Sequence, residues 1–213
     1  CNGCLNTLAV VNHKLKNNSE LKAAVNEILK EIGKEFKGTI EVKHLLQVLK
    51  EEFGFDKLKI LIKKPLTGLK VAGHPGCHLL MPDDILNFDD PADPVVYDHF
   101  IESLGATAID YLTKTDCCGV SLSLGGAKEE TNTLLRDKLV DVKESGAKII
   151  STACPFCFTQ FDRGQLIAGR SYSELKESKI PVLYAVELLA LAMGKSLEEV
   201  GYKSHYIKPL LEI

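Results

Sequence analysis

An α/β fold built on a parallel sheet flanked by helices is predicted by three features of this 213-residue chain. Short β-like runs alternate with helical patterns through its later part, as in successive βαβ units. Cysteines follow several of those runs, where the loops of such a sheet converge. At 23.4 kDa and 45% hydrophobic residues, the chain is long enough to bury a substantial core. The balance of 26 Lys+Arg against 29 Asp+Glu is ordinary for a globular protein and points to no nucleic-acid or anionic-membrane partner. The longest apolar stretch, Ile180 to Gly194, carries Glu187 and is too short to span a bilayer.

From Ser19, apolar residues recur at Leu21, Val25, Ile28, Leu29, Ile32 and Phe36, which predicts one amphipathic helix stopped by Gly38. Thr39 or its neighbour then caps a second helix, with Val42, Leu45, Leu46, Leu49 and Phe53 inward, before Gly54. Lys57 to Lys70 is basic and irregular, and reads as a solvated face or subunit rim. The β-like runs are Lys70 to Gly73, Ala106 to Tyr111, Ala147 to Thr152 and Pro181 to Leu183. Between them, Asp93 to Gly105 (Val96, Phe100, Leu104) and Ala127 to Ser145 (Leu134, Leu135, Leu139, Val142) read as crossover helices. Val182 to Met193 reads as a more buried helix.

The seven cysteines, Cys1, Cys4, Cys77, Cys117, Cys118, Cys154 and Cys157, are odd in number, and the adjacent pair at 117 and 118 is poorly shaped for bonding to itself. A long, Lys-rich chain of this kind fits a reducing, cytoplasmic compartment better than a secreted disulfide framework. Cys77 follows the first run, Cys117-Cys118 the second and Cys154-Pro155-Phe156-Cys157 the third, so five thiols from three loops should meet in the crevice at the strands' carboxyl ends. Thiolates are soft ligands for zinc, copper(I) and iron–sulfur clusters. A structural zinc site takes four ligands and a cubane cluster also four, whereas five are offered here. A thioredoxin-like pair would leave Cys77, Cys117 and Cys118 unexplained.

Cys1-Asn-Gly-Cys4-Leu-Asn-Thr-Leu resembles Cys154-Pro-Phe-Cys157-Phe-Thr-Gln-Phe in spacing and in its apolar helical start. The chain opens on Cys1 without an initiator Met, so it is read as a fragment, with a signal peptide not observable. On a fixed-repeat assumption it holds the tail of one unit and a whole second unit of a parent roughly 300 residues long.

Cys77, Cys117-Cys118-Gly119 and Cys154-Pro-Phe-Cys157 resemble the cysteine-rich CCG domain. With His74-Pro-Gly-Cys77-His-Leu-Leu and Pro181-Val-Leu-Tyr-Ala-Val-Glu-Leu-Leu-Ala-Leu-Ala, the chain resembles the B-subunit of heterodisulfide reductase, an archaeal enzyme of methanogens, over nearly its whole length. The resemblance implies two CCG units, the first truncated: residues 1–67 as a remnant and 68–213 as a complete domain. It implies a noncubane [4Fe–4S] cluster held by Cys77, Cys117, Cys118, Cys154 and Cys157, with Cys1 and Cys4 as part of an incomplete second site. Reduction of the coenzyme M–coenzyme B disulfide between two clusters is implied too, with a ferredoxin-like iron–sulfur subunit and a flavoprotein subunit as partners, and with the fragment alone inactive. Related CCG domains occur in thiol:fumarate reductase and in succinate- or glycolate-oxidising complexes. A zinc-binding or electron-transfer subunit of another dehydrogenase is therefore the alternative, and a metal-free state is a third expectation.

Among the neighbours, His74 and His78 flank Cys77 and are candidates to hydrogen-bond cluster sulfur or substrate; bonding to nearby backbone is the alternative. Gly119 is suited to close backbone approach to a cluster or anion, while Gly125-Gly126 reads as the lead-in to a helix. Arg136, Arg163 and Arg170 are the only arginines; a substrate-oxyanion role is weighed for them against solvated helix faces, and the latter is favoured. His13, His44, His99 and His205 read as structural.

Overall fold

The computed structural model describes residues 1–177 and 179–208. Helices α1 (Asn2–Asn17) and α2 (Ser19–Lys30) open the chain, and the Asn18 side chain between them accepts the Leu21 N–H to cap α2. Helix α3 (Leu45–Val48) is capped by His44, whose Nδ1 accepts the Leu46 N–H while the Gln47 side chain accepts the His44 N–H. A π turn (Leu49–Phe53) and Gly54 lead into α4 (Phe55–Leu61).

Then follow β1 (Lys70–His74), the short helices α5 (Cys77–Leu80) and α6 (Asp83–Leu86), α7 (Val96–Ser103) and β2 (Thr107–Ala108). After them come α8 (Val120–Leu124), the long α9 (Lys128–Glu144), β3 (Ile149–Thr152) and α10 (Pro155–Thr159). A second π turn (Gln160–Gly164), α11 (Gln165–Ala168), α12 (Ser173–Glu177), β4 (Val182–Tyr184) and α13 (Ala185–Ala192) follow, and a 3-10 turn (Tyr202–Ser204) comes after them. No helix among the described residues is long and apolar enough to cross a membrane.

The four strands form one parallel sheet in the order β2-β1-β3-β4. Val71 lies opposite Ala108 on one side and Ile149 on the other, and Ile150 lies opposite Val182. Because side chains alternate across a strand, Val71, Ile149 and Leu183 join one core and Ala72, Ile150 and Val182 another. The first core is closed by α7 (Tyr97, Phe100, Ile101) and α13 (Leu188, Leu191), the second by α9 (Leu135, Leu139, Val142) and by Phe161. The central strands β1, from Val71 onward, and β3 are buried on both faces, as a parallel sheet requires. The strand order reverses between β1 and β3, so the loops leaving their carboxyl ends diverge around a crevice.

The predicted α/β parallel fold is the one observed, but the amino-terminal elements differ from expectation. The helix expected through Phe36 ends at Lys30, and no residue of α2 is buried; Ile28 and Ile32 are 67% and 70% exposed. Periodicity reports a stripe but does not say whether another element covers it. His44 rather than Thr39 begins the next helix, and of its expected inward residues Leu45 faces solvent while Leu46 is buried. The basic run hides α4, whose Leu58 is buried between solvated lysines. The second β-like run pairs over only two residues, as a short edge strand.

Candidate functional site

The loops after β1 and β3 deliver cysteines directly to the crevice. Cys77 is the first residue of α5, Cys154 caps α10, and Cys157 lies within α10. Cys117 and Cys118 arrive from the loop after β2, just before α8. All five line one cavity of about 540 Å³, together with Cys4 of α1. Their thiols act on one another's protonation in sequence: Cys77 with Cys117, Cys117 with Cys118, Cys118 with Cys157 and Cys157 with Cys154. None is in a disulfide. Among the described residues, no group of three or more His, Cys, Asp and Glu side chains is arranged to hold a single metal ion.

Two features let the backbone come this close. Gly76 adopts φ +78°, and a Cβ there would stand 2.9 Å from Asn2 Nδ2 and 3.5 Å from Cys157 Sγ. Gly119, at φ +85°, turns its N–H toward Cys117 Sγ at 3.4 Å. Asn2 is buried and donates from Nδ2 to the Pro75 carbonyl at 2.6 Å, which ties the start of α1 to the loop after β1.

The thiols are not equivalent. The Cys157 thiol donates to Cys154, and with N–H groups of Cys157, Phe156 and Asn2 it lowers the Cys154 thiol to about 5. A hydrogen bond from Cys157 likewise lowers Cys118 to about 7. Cys157, beside both Cys118 and Cys154, is pushed up, and burial beside Cys117 and Cys118 pushes Cys77 up to about 11. Near neutral pH the cavity therefore presents anionic sulfur chiefly at Cys154 and partly at Cys118.

Beneath the thiols lies a buried polar layer. Tyr97 and Ser151 share a hydroxyl hydrogen bond of 2.9 Å, Tyr111 donates to the Gly73 carbonyl at 3.1 Å, and Lys114 pairs with Asp98. Lys138 donates to the Thr113 carbonyl.

Of the two flanking histidines, His78 lines the cavity. His74 does not; it is buried edge-on against Phe161, and neither ring nitrogen completes a well-formed hydrogen bond among the described residues. Burial lowers its pKa well below the usual value, so it is held neutral. Cys4 and Cys1 part company: Cys4 shares the thiol cavity, whereas Cys1 lines a neighbouring, largely apolar cavity of about 340 Å³ with His44, Phe100 and Tyr184. No arginine lines either cavity; Arg136 stacks on Tyr172 and pairs with Asp137. Gly125-Gly126 separates α8 from α9, as expected of a helix lead-in. His205 bonds Glu187 at 3.0 Å, a structural role.

The cysteine-rich domain family, CCG, matches residues 71–162. The B-subunit of the ferredoxin:CoB-CoM heterodisulfide reductase of Methanosarcina mazei is 42% identical over 209 residues, covering 98% of this chain and 69% of that protein. A heterodisulfide reductase B-subunit-like protein of Archaeoglobus profundus is 37% identical, covering 94% of this chain and 68% of that protein. The crystal structure of a hypothetical protein from Helicobacter pylori superposes with a TM-score of 0.70 at 20% identity, over 92% of this chain and 35% of that one, and supports the fold. With more than two thirds of such relatives matched, the chain belongs to the heterodisulfide reductase B-subunit family of cysteine-rich domain proteins.

Proposed function

We propose that this chain is an iron–sulfur subunit of a heterodisulfide reductase-type oxidoreductase acting on the coenzyme M–coenzyme B disulfide. The observation that carries the reading is the single cavity lined by five cysteines from three loops, at the point where strand order reverses, in a chain of this family. The donor set fits an iron–sulfur group: the ligands are soft sulfurs, and Cys154 is already held as thiolate near neutral pH. Cys77, Cys117, Cys118, Cys154 and Cys157 would hold a noncubane [4Fe–4S] cluster, which when bound supplies the electrons that split a small disulfide.

The chain's own residues do the rest. Asn2 and Gly76 fix the loop that carries Cys77, and the N–H groups at the start of α10 stabilise the Cys154 sulfur. His78 lies at the cavity wall within reach of a bound substrate group, while His74 supports the floor. Residues 1–67 and 68–213 are read as the remnant of one CCG unit and a complete second one. Cys1 and Cys4 are then the last knuckle of the first. A ferredoxin-like iron–sulfur subunit and a flavoprotein subunit would deliver electrons, and the setting would be the cytoplasm of an archaeal methanogen.

The test is anaerobic purification after reconstitution with ferrous iron and sulfide. A brown protein with iron and acid-labile sulfide in equal amounts and a paramagnetic signal on oxidation or reduction is expected. A colourless protein holding one zinc and no sulfide would sink the reading.

A further inference from the structure

Helix α9 turns Leu135, Lys138, Leu139 and Val142 toward the core that contains Cys118, Cys154 and Cys157. Lys138 is the unexpected member: its side chain is buried, with 1% exposure, on a helix face that it shares with Leu135, Leu139 and Val142. The ammonium donates to the Thr113 carbonyl and stands 5.4 Å from the centre of the Tyr111 ring. Among the described residues no carboxylate lies within 4.0 Å of it. Lys114, the other buried lysine, is by contrast paired with Asp98.

A buried ammonium without a salt bridge is costly unless its field is used elsewhere. Burial is the largest influence on it, opposed by Asp116 and Asp141 on the solvent side and by the sulfurs of Cys118 and Cys157 on the other, of which Cys157 holds its proton near neutral pH. Lys138 thus stands between the outer face of α9 and the floor of the thiol cavity.

We propose that Lys138 is the buried counter-charge of the cysteine cavity, an electrostatic positioning residue that raises the reduction potential of the iron–sulfur centre held there. The inference rests on the iron–sulfur reading given above. Reduction of the centre by one electron adds one negative charge, and a fixed cation in a poorly screened interior stabilises the more negative state. A lysine that merely pinned the Thr113 loop would leave the potential unchanged.

The experiment compares the unaltered chain with Lys138→Met and Lys138→Arg, each reconstituted anaerobically with ferrous iron and sulfide. Far-UV circular dichroism checks folding, and Lys138→Gln serves as the neutral variant if Lys138→Met does not fold. Iron and sulfide are assayed first, and the midpoint potential is then measured by a dithionite titration followed by electron paramagnetic resonance. The neutral variant should keep its iron while its equilibrium constant for reduction falls about tenfold, which is about 59 mV for one electron. Lys138→Arg should stay near the unaltered value. Loss of iron in the neutral variant alone, with Lys138→Arg loaded, equally supports the counter-charge. Equal iron and equal potential in the neutral variant and the unaltered chain overturn this proposal alone. Loss of iron in both folded variants shows a packing role and also overturns it. Failure of the unaltered chain to take up iron overturns the functional reading, and this inference with it.

Discussion

Replacing Gly76 by alanine tests how tightly the cavity is built. The residue sits at φ +78°, in the left-handed region, where a Cβ costs roughly 1–2 kcal/mol. The new methyl would also stand 2.9 Å from Asn2 Nδ2, too close for Asn2 to keep its 2.6 Å bond to the Pro75 carbonyl. A buried hydrogen bond of that kind contributes about 0.5–1.5 kcal/mol. Against these, alanine reduces unfolded-state entropy by about 0.4–1 kcal/mol. The net expectation is a loss of about 2 kcal/mol, or a fall in Tm of about 4–8 °C for a chain of this length. Thermal and urea denaturation of the metal-free protein measure it. The contact with Asn2 is isolated by a double-mutant cycle: in an Asn2→Ala background, Gly76→Ala should cost about 1 kcal/mol less. A loss below about 0.5 kcal/mol, or strict additivity in the cycle, would refute the argument that Gly76 is required by close approach.

Three further outcomes are expected. Cys118→Ala or Cys154→Ala should abolish iron uptake on reconstitution, whereas Cys1→Ala, altering the neighbouring cavity, should leave it intact; equal losses contradict the ligand assignment. Burial lowers His44 to about 4, so the folded state binds fewer protons than the unfolded one between about pH 4 and 6.5. Its contribution is fully present above about pH 6.5, and up to about 3 kcal/mol is lost as pH falls to about 4. His44→Asn, which keeps a capping oxygen, should flatten the pH dependence of urea stability in that window, and an unchanged slope would count against it. Ser151→Ala leaves the buried Tyr97 hydroxyl without its partner and should cost about 1–3 kcal/mol, but much less in a Tyr97→Phe background. Equal costs in both backgrounds would show that the hydroxyl pair is not coupled.

Those elements were legible in the sequence whose pattern and burial agree. α9 and the strands around Val71, Ile149 and Val182 carry apolar residues that the two cores consume, and the thiols after them converge as the parallel topology demands. The first sixty residues were less legible. The stripe from Leu21 to Ile32 has helical spacing, but no residue of the helix is buried among the described residues. His44 reads as an ordinary histidine, because capping by an imidazole nitrogen has no pattern of its own. Cys4 was grouped with Cys1 by its spacing, yet one turn of helix sends the two into different cavities. Lys138 falls at helical spacing among Leu135, Leu139 and Val142, so its inward position was legible from the stripe, but its lysine identity hid it among solvated residues.

The reversal of strand order between β1 and β3 also governs when the cavity can exist. Cys117 with Cys118, and Cys154 with Cys157, are neighbours in any unfolded chain, but Cys77 meets them only after two long segments have been closed by pairing Val71 to Ile149 and its successors. The pocket is consequently a late product of folding, and a chain caught before β1 and β3 zip offers separate pairs of thiols to any passing oxidant or stray ion. Once formed, any group gripping all three loops works as a knot tied across the sheet. Unfolding must then undo the knot and the strands together, so occupancy should slow the opening of the whole domain rather than stiffen one corner of it.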